Sequence, residues 1–396
     1  MDFGFTEEEE RFRREVREFL EKECTEEFQE EYEKTGERWG REGVCMEITK
    51  KLTDKGWLTL HWPKEYGGGG ASIIRQFILN EEIGYAGVPT GGHRHGINLV
   101  GPTIMVHGSE EQKKKHLGAI ARTEVVWCEG LSEPEAGSDL ASLRTRAVRK
   151  GDEYVINGQK VWTTLAHKAD WMYLVARTNP EVSKTRGISY FLLDMRTPGI
   201  EVKPILNMFG SHDFNEVFFD DVRVPAENLV GGENNGWAVV NTLLEVEHSG
   251  VGQAAECRRT LDDLIQFCKE TEIDGKPLAS DPTIRSKLAQ MEIEVEVNRM
   301  MCYHVGWMQS KGMHSPLEGP MNKASGTELD VRLAKVGMDI LGLYGPLNKN
   351  SKWVRLKGKM EYKIMYNLGQ TIAGGTTEIQ KYIMATRGLG LPRGPR

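Results

Sequence analysis

No stretch of the 396-residue chain approaches the roughly 20 consecutive apolar residues of a membrane-spanning helix, so no such span is expected. The opening MDFGFTEEEE is acidic and has no apolar h-region, so it does not read as a signal peptide. Basic charge is not in excess: 51 Lys and Arg stand against 58 Asp and Glu, for a net charge of −7. That balance disfavours a nucleic-acid surface. The six cysteines (Cys24, Cys45, Cys128, Cys257, Cys268 and Cys302) fall in no CxxC or CxxH spacing. They read as reduced thiols of a cytoplasmic protein with no zinc site. Internal repeats and low-complexity tracts are also missing. What remains is globular in kind, with 39% hydrophobic and 28% charged residues. The length allows two or three domains or one large compact unit.

Helical patterning opens the chain. Thr6-Glu7-Glu8-Glu9 has capping-box spacing, and Phe12, Val16, Phe19 and Leu20 follow at helical intervals, which predicts a helix over 7–23. Further helices are expected over 42–55, 72–87 and 99–120, with a glycine loop at Pro63–Gly70 between the first two. His93-Arg94-His95 precedes the last of these. Two histidines two apart suit metal ligation, but no third ligand is evident nearby, and polar residues at a helix entrance account for them as well. From 123 to 230 short β-rich runs alternate with Gly, Asp, Asn and Pro, which predicts an all-β module, a small barrel or sandwich. Helices return at 236–270, 283–312, 318–345, 350–370 and 377–387. MEIEVEV (291–297) alternates like a strand, yet Leu288, Met291, Val295 and Met300 favour a helix. The expected class is therefore α+β and multidomain, with boundaries at 1–122, 123–232 and 233–396.

The most informative stretch runs from Leu131 to Thr164. Its first part, LSEPEAGSD, ends in a turn of small residues whose backbone N–H groups and hydroxyl suit a phosphate or a polarised ring edge. Its second part, GQKVWTT, sets Trp162 two residues before Thr164, and on a strand those side chains share a face. A flat ring beside a hydroxyl suits a flat heteroaromatic cofactor. A glycine turn followed by an ordinary buried strand tryptophan fits the same spacing.

Six motifs in order carry a wider resemblance: PKEYGG, GSEEQKKKHL, LSEPEAGSD, INGQKVWTT, FDDVRVP and AGGTTEIQ. With them the chain resembles the acyl-CoA dehydrogenase family over essentially its whole length. The resemblance implies an N-terminal helical domain, a central β-barrel or sandwich domain and a C-terminal four-helix bundle. It also implies FAD and a tetramer, often a pair of dimers. Leu131, Ser132, Gly137 and Ser138 match positions lining the flavin and the pantetheine path. Trp162 and Thr164 match residues beside the isoalloxazine ring, and Thr376 and Glu378 fall in a C-terminal flavin-contact segment. Thr377 to Gln380 also has capping-box spacing, so Glu378 is equally readable as a charge at a helix N-terminus.

The family reaction is α,β-dehydrogenation of an acyl-CoA thioester, with electrons passing to electron-transfer flavoprotein. Here the chain departs from the commonest pattern. The usual Glu base before the final helix is Gly374, in Gly374-Gly375-Thr376. Other branches carry the base on an earlier helix, where this chain has Leu244-Glu245-Val246-Glu247-His248. Glu245 and Glu247 are roughly 200° apart on a helix, so only one can face a pocket, and the alignment favours Glu247 as base. His248 stands where Arg is usual, which puts anchoring of the base or of the substrate in doubt. Glu245, His248, Gly374 and Ser138 are the candidate substrate contacts. Both charges of the LEVEH segment are also readable as solvated helix charges.

At the flavin's adenine end, Thr271-Glu272-Ile273-Asp274-Gly275 has no Arg, with Arg285 as the nearest replacement. Asp339 puts a negative charge near an expected pyrophosphate. These departures fit pairing with a related subunit in a heterotetramer as well as a homotetramer. They raise two alternatives, a non-catalytic or co-catalytic subunit and an acyl-CoA oxidase. The space opened by Gly374, with Gly91–His95 near the acyl pocket by analogy, permits a bulky, branched, cyclic or steroid-like acyl group. His93 or His95 would be a polar contact to it.

Overall fold

The computed structural model describes residues 4–35, 43–89, 91–246 and 250–394. Its helices are α1 (Glu7–Glu23), α2 (Glu26–Thr35), α3 (Gly43–Asp54), α4 (Ile73–Ala86), α5 (Gly101–His107) and α6 (Glu110–Ala121). The strands follow: β1 (Trp127–Gly130), β2 (Arg146–Lys150), β3 (Glu153–Lys160), β4 (Trp171–Arg177), β5 (Ile188–Asp194), β6 (Ile200–Ile205), β7 (Phe214–Pro225) and β8 (Leu229–Val230). Helices then resume as α7 (Gly236–Val246) and α8 (Val251–Glu270). After a two-stranded hairpin over 272–277 come α9 (Pro282–Ser310), α10 (Glu318–Leu341), α11 (Lys359–Gln370) and α12 (Thr377–Ile383).

The chain divides into two compact units. The first holds α1, α4 and α8 to α12. Its α8, α9, α10 and α11 form the expected four-helix bundle around Leu261, Leu264, Leu288, Met291, Val295, Leu329 and Leu333. Two buried ionic clusters accompany this core. Glu81 and Glu82 of α4 bind Arg13 and Arg17 of α1, and Tyr303 of α9 donates its hydroxyl to Glu81. In the bundle, Lys363 pairs with Glu256 at 3.0 Å and Asp330 at 3.2 Å. Burial alone would lower the Lys363 ammonium, but the two carboxylates more than reverse this and hold it raised.

The first helix shows how directly the sequence acts. The Thr6 hydroxyl accepts from Glu9 N at 3.3 Å and the Glu9 carboxylate accepts from Thr6 N at 2.8 Å, closing the capping box. Phe12, Val16 and Leu20 are then buried on one face. Thr6→Ala is expected to cost about 1 kcal/mol of local stability. The measurement is amide exchange, which should quicken in the first turn of α1 and leave β4 unchanged.

The second unit holds α2, α3, α5, α6, α7 and the strands. The expected β module takes the form of one mixed sheet, ordered β6-β7-β3-β2-β4-β5-β8, with β1 pairing parallel to β4. Met172 to Ala176 of β4 are wholly buried, which explains the unbroken apolar run of a central strand. The core on one face includes Tyr154, Ile156, Met172, Leu174, Phe191, Leu193, Val217 and Phe219.

Several expectations change. The predicted 99–120 helix is two helices, because Ser109 starts α6 with its own capping box to Gln112. The helix predicted over 236–270 is recorded as α7 and α8, and 247–249 between them lie outside the described residues. α11 begins at Lys359 rather than 350, α10 ends at Leu341 before left-handed Gly342, and α2 was not anticipated. MEIEVEV is helical, within α9.

Candidate functional site

The LSEPEAGSD segment is built on a buried ion pair. Glu133 and Ala136 exchange two backbone hydrogen bonds of 3.1 Å, so Glu133-Pro134-Glu135-Ala136 closes a tight turn. The Glu133 carboxylate accepts from Arg144 N at 2.6 Å, Thr145 N at 2.9 Å and Lys160 Nζ at 2.8 Å. Lys160 is 0% exposed and also donates to Leu131 O at 2.9 Å. Burial pushes its ammonium down to about 8, against the pull of Glu133. Burial would raise the Glu133 carboxyl, but Lys160 and the two backbone N–H groups hold it below its ordinary value.

Val161 N donates to Ser132 O at 3.0 Å, so the two halves of the Leu131–Thr164 stretch are joined directly. Leu131 is buried and Ser132 half-buried at this seam, while Gly137 and Ser138 stand exposed beyond it. A Cβ at Gly137 would meet no atom within 4 Å, so packing within the chain does not require this glycine. Asp139 pairs with Lys184 at 2.9 Å and with Ser142, fixing the far end of the turn.

The second half corrects the expectation of a shared strand face. β3 ends at Lys160, and Trp162 adopts φ +61° and Leu165 φ +63°. A left-handed residue breaks strand alternation, so Trp162 and Thr164 do not sit as successive same-face positions. Trp162 is instead 60% exposed, Thr163 is buried and Thr164 is half-buried. The turn is tied to the strand beyond by Thr163 N to Asn215 O at 3.0 Å and Leu165 N to Asp213 O at 2.9 Å. Phe214 meets the Trp162 ring edge-on, 6.1 Å between centroids at 85°. Holding a bulky residue in this backbone region costs about 1–3 kcal/mol, and such strain gathers at functional sites. The Thr163 Oγ1 is buried with no partner among the described residues. At the start of the motif, Gly158 (φ +149°) lies so close to Thr145 that a Cβ would meet Thr145 Oγ1 at 2.6 Å.

In the first unit, Thr376 caps α12, its hydroxyl accepting from Ile379 N at 3.2 Å. The cap therefore stands one residue earlier than the Thr377–Gln380 spacing implied. Gln380 instead donates through Nε2 to Gly374 O at 3.0 Å. Glu378 is exposed, and its own backbone N–H and the Thr376 hydroxyl lower its carboxyl pKa, as expected of a charge at a helix N-terminus. Gly374 and Gly375 are both left-handed, at φ +63° and +87°. A glutamate at 374 would be strained there. Arg285 lies exposed in the first turn of α9, its Nη1 3.4 Å from Ala279 O. Asp339 is met by Lys287 at 3.0 Å, so its charge is locally countered.

Glu245 stands in the last turn of α7, but its side chain is not described, and Glu247 and His248 lie outside the described residues. His93 is buried, with Nδ1 3.2 Å from Val125 O. His95 is half-buried by its surface, and burial pushes its imidazole down to about 4. Gly92 packs against Leu165, where an added Cβ would meet Leu165 Cδ1 at 3.1 Å. The loop of the two histidines thus backs the Trp162 turn.

Sequence reasoning missed Lys160, Glu133, Asn215 and the histidines His167 and His212. Glu133 and Lys160 lie within the motifs LSEPEAGSD and INGQKVWTT, but nothing in their spacing pairs them.

Three family models match the chain in order: the N-terminal domain of acyl-CoA dehydrogenase over residues 6–124, the middle domain over 128–222 and the C-terminal domain over 234–389. The acyl-CoA dehydrogenase FadE26 of Mycobacterium tuberculosis is 36% identical over 403 residues, covering 100% of both proteins. The acyl-CoA dehydrogenase IpdE1 of the same organism is 35% identical over 363 residues, covering 89% of this chain and 91% of the relative. Among solved structures, the Tcur3481-Tcur3483 steroid ACAD superposes with a TM-score of 0.90 at 34% identity, and the ChsE4-ChsE5 complex from Mycobacterium tuberculosis with 0.89 at 36%, each covering 100% of both chains. Members of the family are typically FAD-dependent. No helix among the described residues is long and apolar enough to cross a membrane. With three domain matches in sequence order, relatives alike from end to end and the shared fold, the chain belongs to the acyl-CoA dehydrogenase family of oxidoreductases.

Proposed function

We propose that the chain is a FAD-dependent dehydrogenase of a bulky, cyclic or steroid-like acyl-CoA, working in a tetramer with a related subunit and passing electrons to electron-transfer flavoprotein. The observation that carries this reading is Trp162, a flat, exposed indole held in a strained turn beside the Leu131–Ser132 seam. The residues fit the cofactor. An exposed ring, a glycine at 137 with open space around it and a Thr163 hydroxyl without a partner among the described residues are what a flat polar group needs at close range.

Leu131, Ser132, Gly137, Ser138, Trp162 and Thr164 are the proposed flavin contacts of the second unit. Arg285, Thr376 and Glu378 are those of the first. FAD, when bound, supplies the acceptor for the hydride leaving the β-carbon. Glu247 removes the α-proton as general base. What supports this assignment is that the commoner base position is held by Gly374, left-handed at φ +63° and without a carboxylate. Gly374, Ser138, Glu245 and His248 would contact the acyl-CoA. Domain boundaries at 122/123 and 232/233 and a cytoplasmic location complete the proposal.

The steroid-like substrate and the two-chain assembly rest on likeness to the steroid ACAD Tcur3481-Tcur3483 and the ChsE4-ChsE5 complex. That likeness also supports a second reading, in which the chain is the co-catalytic or non-catalytic member of such a pair.

The test is to purify the chain alone and with a co-expressed related subunit, record the visible spectrum and add an acyl-CoA panel anaerobically. A yellow assembly bleached by a cyclic or steroid-like acyl-CoA is the expected result. A chain that gains flavin only with its partner, and whose Glu247→Gln variant leaves bleaching intact, would favour the second reading. An assembly without flavin would sink both.

A further inference from the structure

The Trp162 turn is held at a distance by two histidines that nothing so far has given a role. The rings of His167 and His212 stack with centroids 3.9 Å apart and planes 17° from parallel. His212 Nε2 lies 2.7 Å from Asn215 Oδ1, and Asn215 Nδ2 donates to Thr163 O at 2.9 Å. The directions are fixed from the buried end. Asn215 is 0% exposed, its amide nitrogen is committed to Thr163, so its oxygen accepts and His212 donates. The relay therefore ends on the residue between Trp162 and Thr164.

We propose that the stacked His167–His212 pair is the positioning device of the Trp162–Thr164 turn, and that it releases the turn in acid. The stack keeps the His212 ring on Asn215, and Asn215 keeps the Thr163 carbonyl in place against the strain of two left-handed residues. One proton on the pair leaves the relay intact, because His212 donates through Nε2 whether neutral or charged. A second proton places like charges face to face, which repel, and the stack opens.

The surroundings set the balance. Burial, His212 and Lys168 disfavour charge on His167, while Asn215 and Asp213 favour it, and the net effect lowers its pKa. Asp213 is itself occupied by Asn207 at 2.8 Å and Ser211 at 2.6 Å, which hold the 207–213 loop under the pair. That the turn faces the flavin rests on the proposed function; that the pair holds the turn does not.

The readout is Trp162 itself. In the full-length protein as purified, the emission lost on Trp162→Phe is measured against pH in each background. Wild type is expected to show one step, below the ordinary imidazole value of about 6.5. His167→Phe keeps a stacking ring but removes the like-charge partner, so the step should vanish while neutral-pH emission stays. His212→Leu should shift the emission at every pH, and His212→Gln, whose amide can donate to Asn215, should restore the neutral-pH value. A flat wild-type profile, a step that survives His167→Phe, or His212→Leu without a shift would each overturn the proposal. Should His212→Leu not fold, His167→Phe and His212→Gln carry the test.

Discussion

Glu247→Gln is expected to lower kcat by about 10²–10⁴-fold with acyl-CoA, the usual contribution of a positioned general base. The α-proton of a thioester is a weak acid, and glutamine has the shape of glutamate without a site to take that proton. Because the amide leaves the proposed flavin contacts of the Leu131–Thr164 stretch untouched, the variant should remain yellow and keep a KM close to wild type. Rapid-mixing absorbance under anaerobic conditions separates the two quantities, since the amplitude of bleaching reports binding and flavin content while its rate reports proton removal. Glu245→Gln is the control: as a proposed acyl-CoA contact rather than the base, it should affect KM more than kcat. Full bleaching rates in Glu247→Gln would remove Glu247 as base and send the search to another carboxylate.

Glu133→Gln is expected to destabilise the second unit by roughly 3–5 kcal/mol, because it leaves the wholly buried Lys160 ammonium with no counter-charge. The pH dependence gives the mechanism a signature. Lys160 already has its pKa pushed down to about 8 by burial. Between that value and the unfolded value of about 10.4 the unfolded chain binds more protons, so stability rises with pH across this window. Without Glu133 the folded value falls further and the window widens on its acid side. Glu133 gives the same slope in a lower window: its lowered carboxyl means the unfolded chain again binds more protons, so its stabilisation is present above the ordinary carboxylate range and is lost as pH falls through its folded value. Adding Lys160→Met to Glu133→Gln should return part of the loss, since a buried apolar chain replaces an unpaired charge. Thermal unfolding of wild type and the two variants at pH 7 and pH 9.5 checks this, and a Glu133→Gln protein as stable as wild type would refute it.

Much of the helical architecture was legible because its signals are local. The Thr6–Glu9 box gave α1 to the residue, and apolar spacing overrode the strand-like MEIEVEV in α9. Ser109 and Gln112 carried the break between α5 and α6 in plain view, and no apolar side chain stands between Val106 and Leu117 to bridge it. α2, EEFQEEYEKT, offers too few apolar residues to set a period. At the site, the motif residues were found, yet their arrangement was not. Whether Trp162 continues a strand depends on a backbone angle that periodicity does not encode. The groups that hold it are 27 residues apart for Glu133 and Lys160 and 52 apart for Asn215 and Thr163. No local rule joins such residues.

The left-handed backbone at 162 also sets the fold and the chemistry against each other at a single position. Among random variants sorted only for being folded, glycine and asparagine should become enriched at exposed Trp162, since both adopt that conformation at little cost, whereas buried Leu165 should be kept for its packing. Sorting the same library for turnover should reverse the trend at 162. The difference between the two enrichment profiles, position by position, would map where this chain holds a side chain for its chemistry at the expense of its own folding.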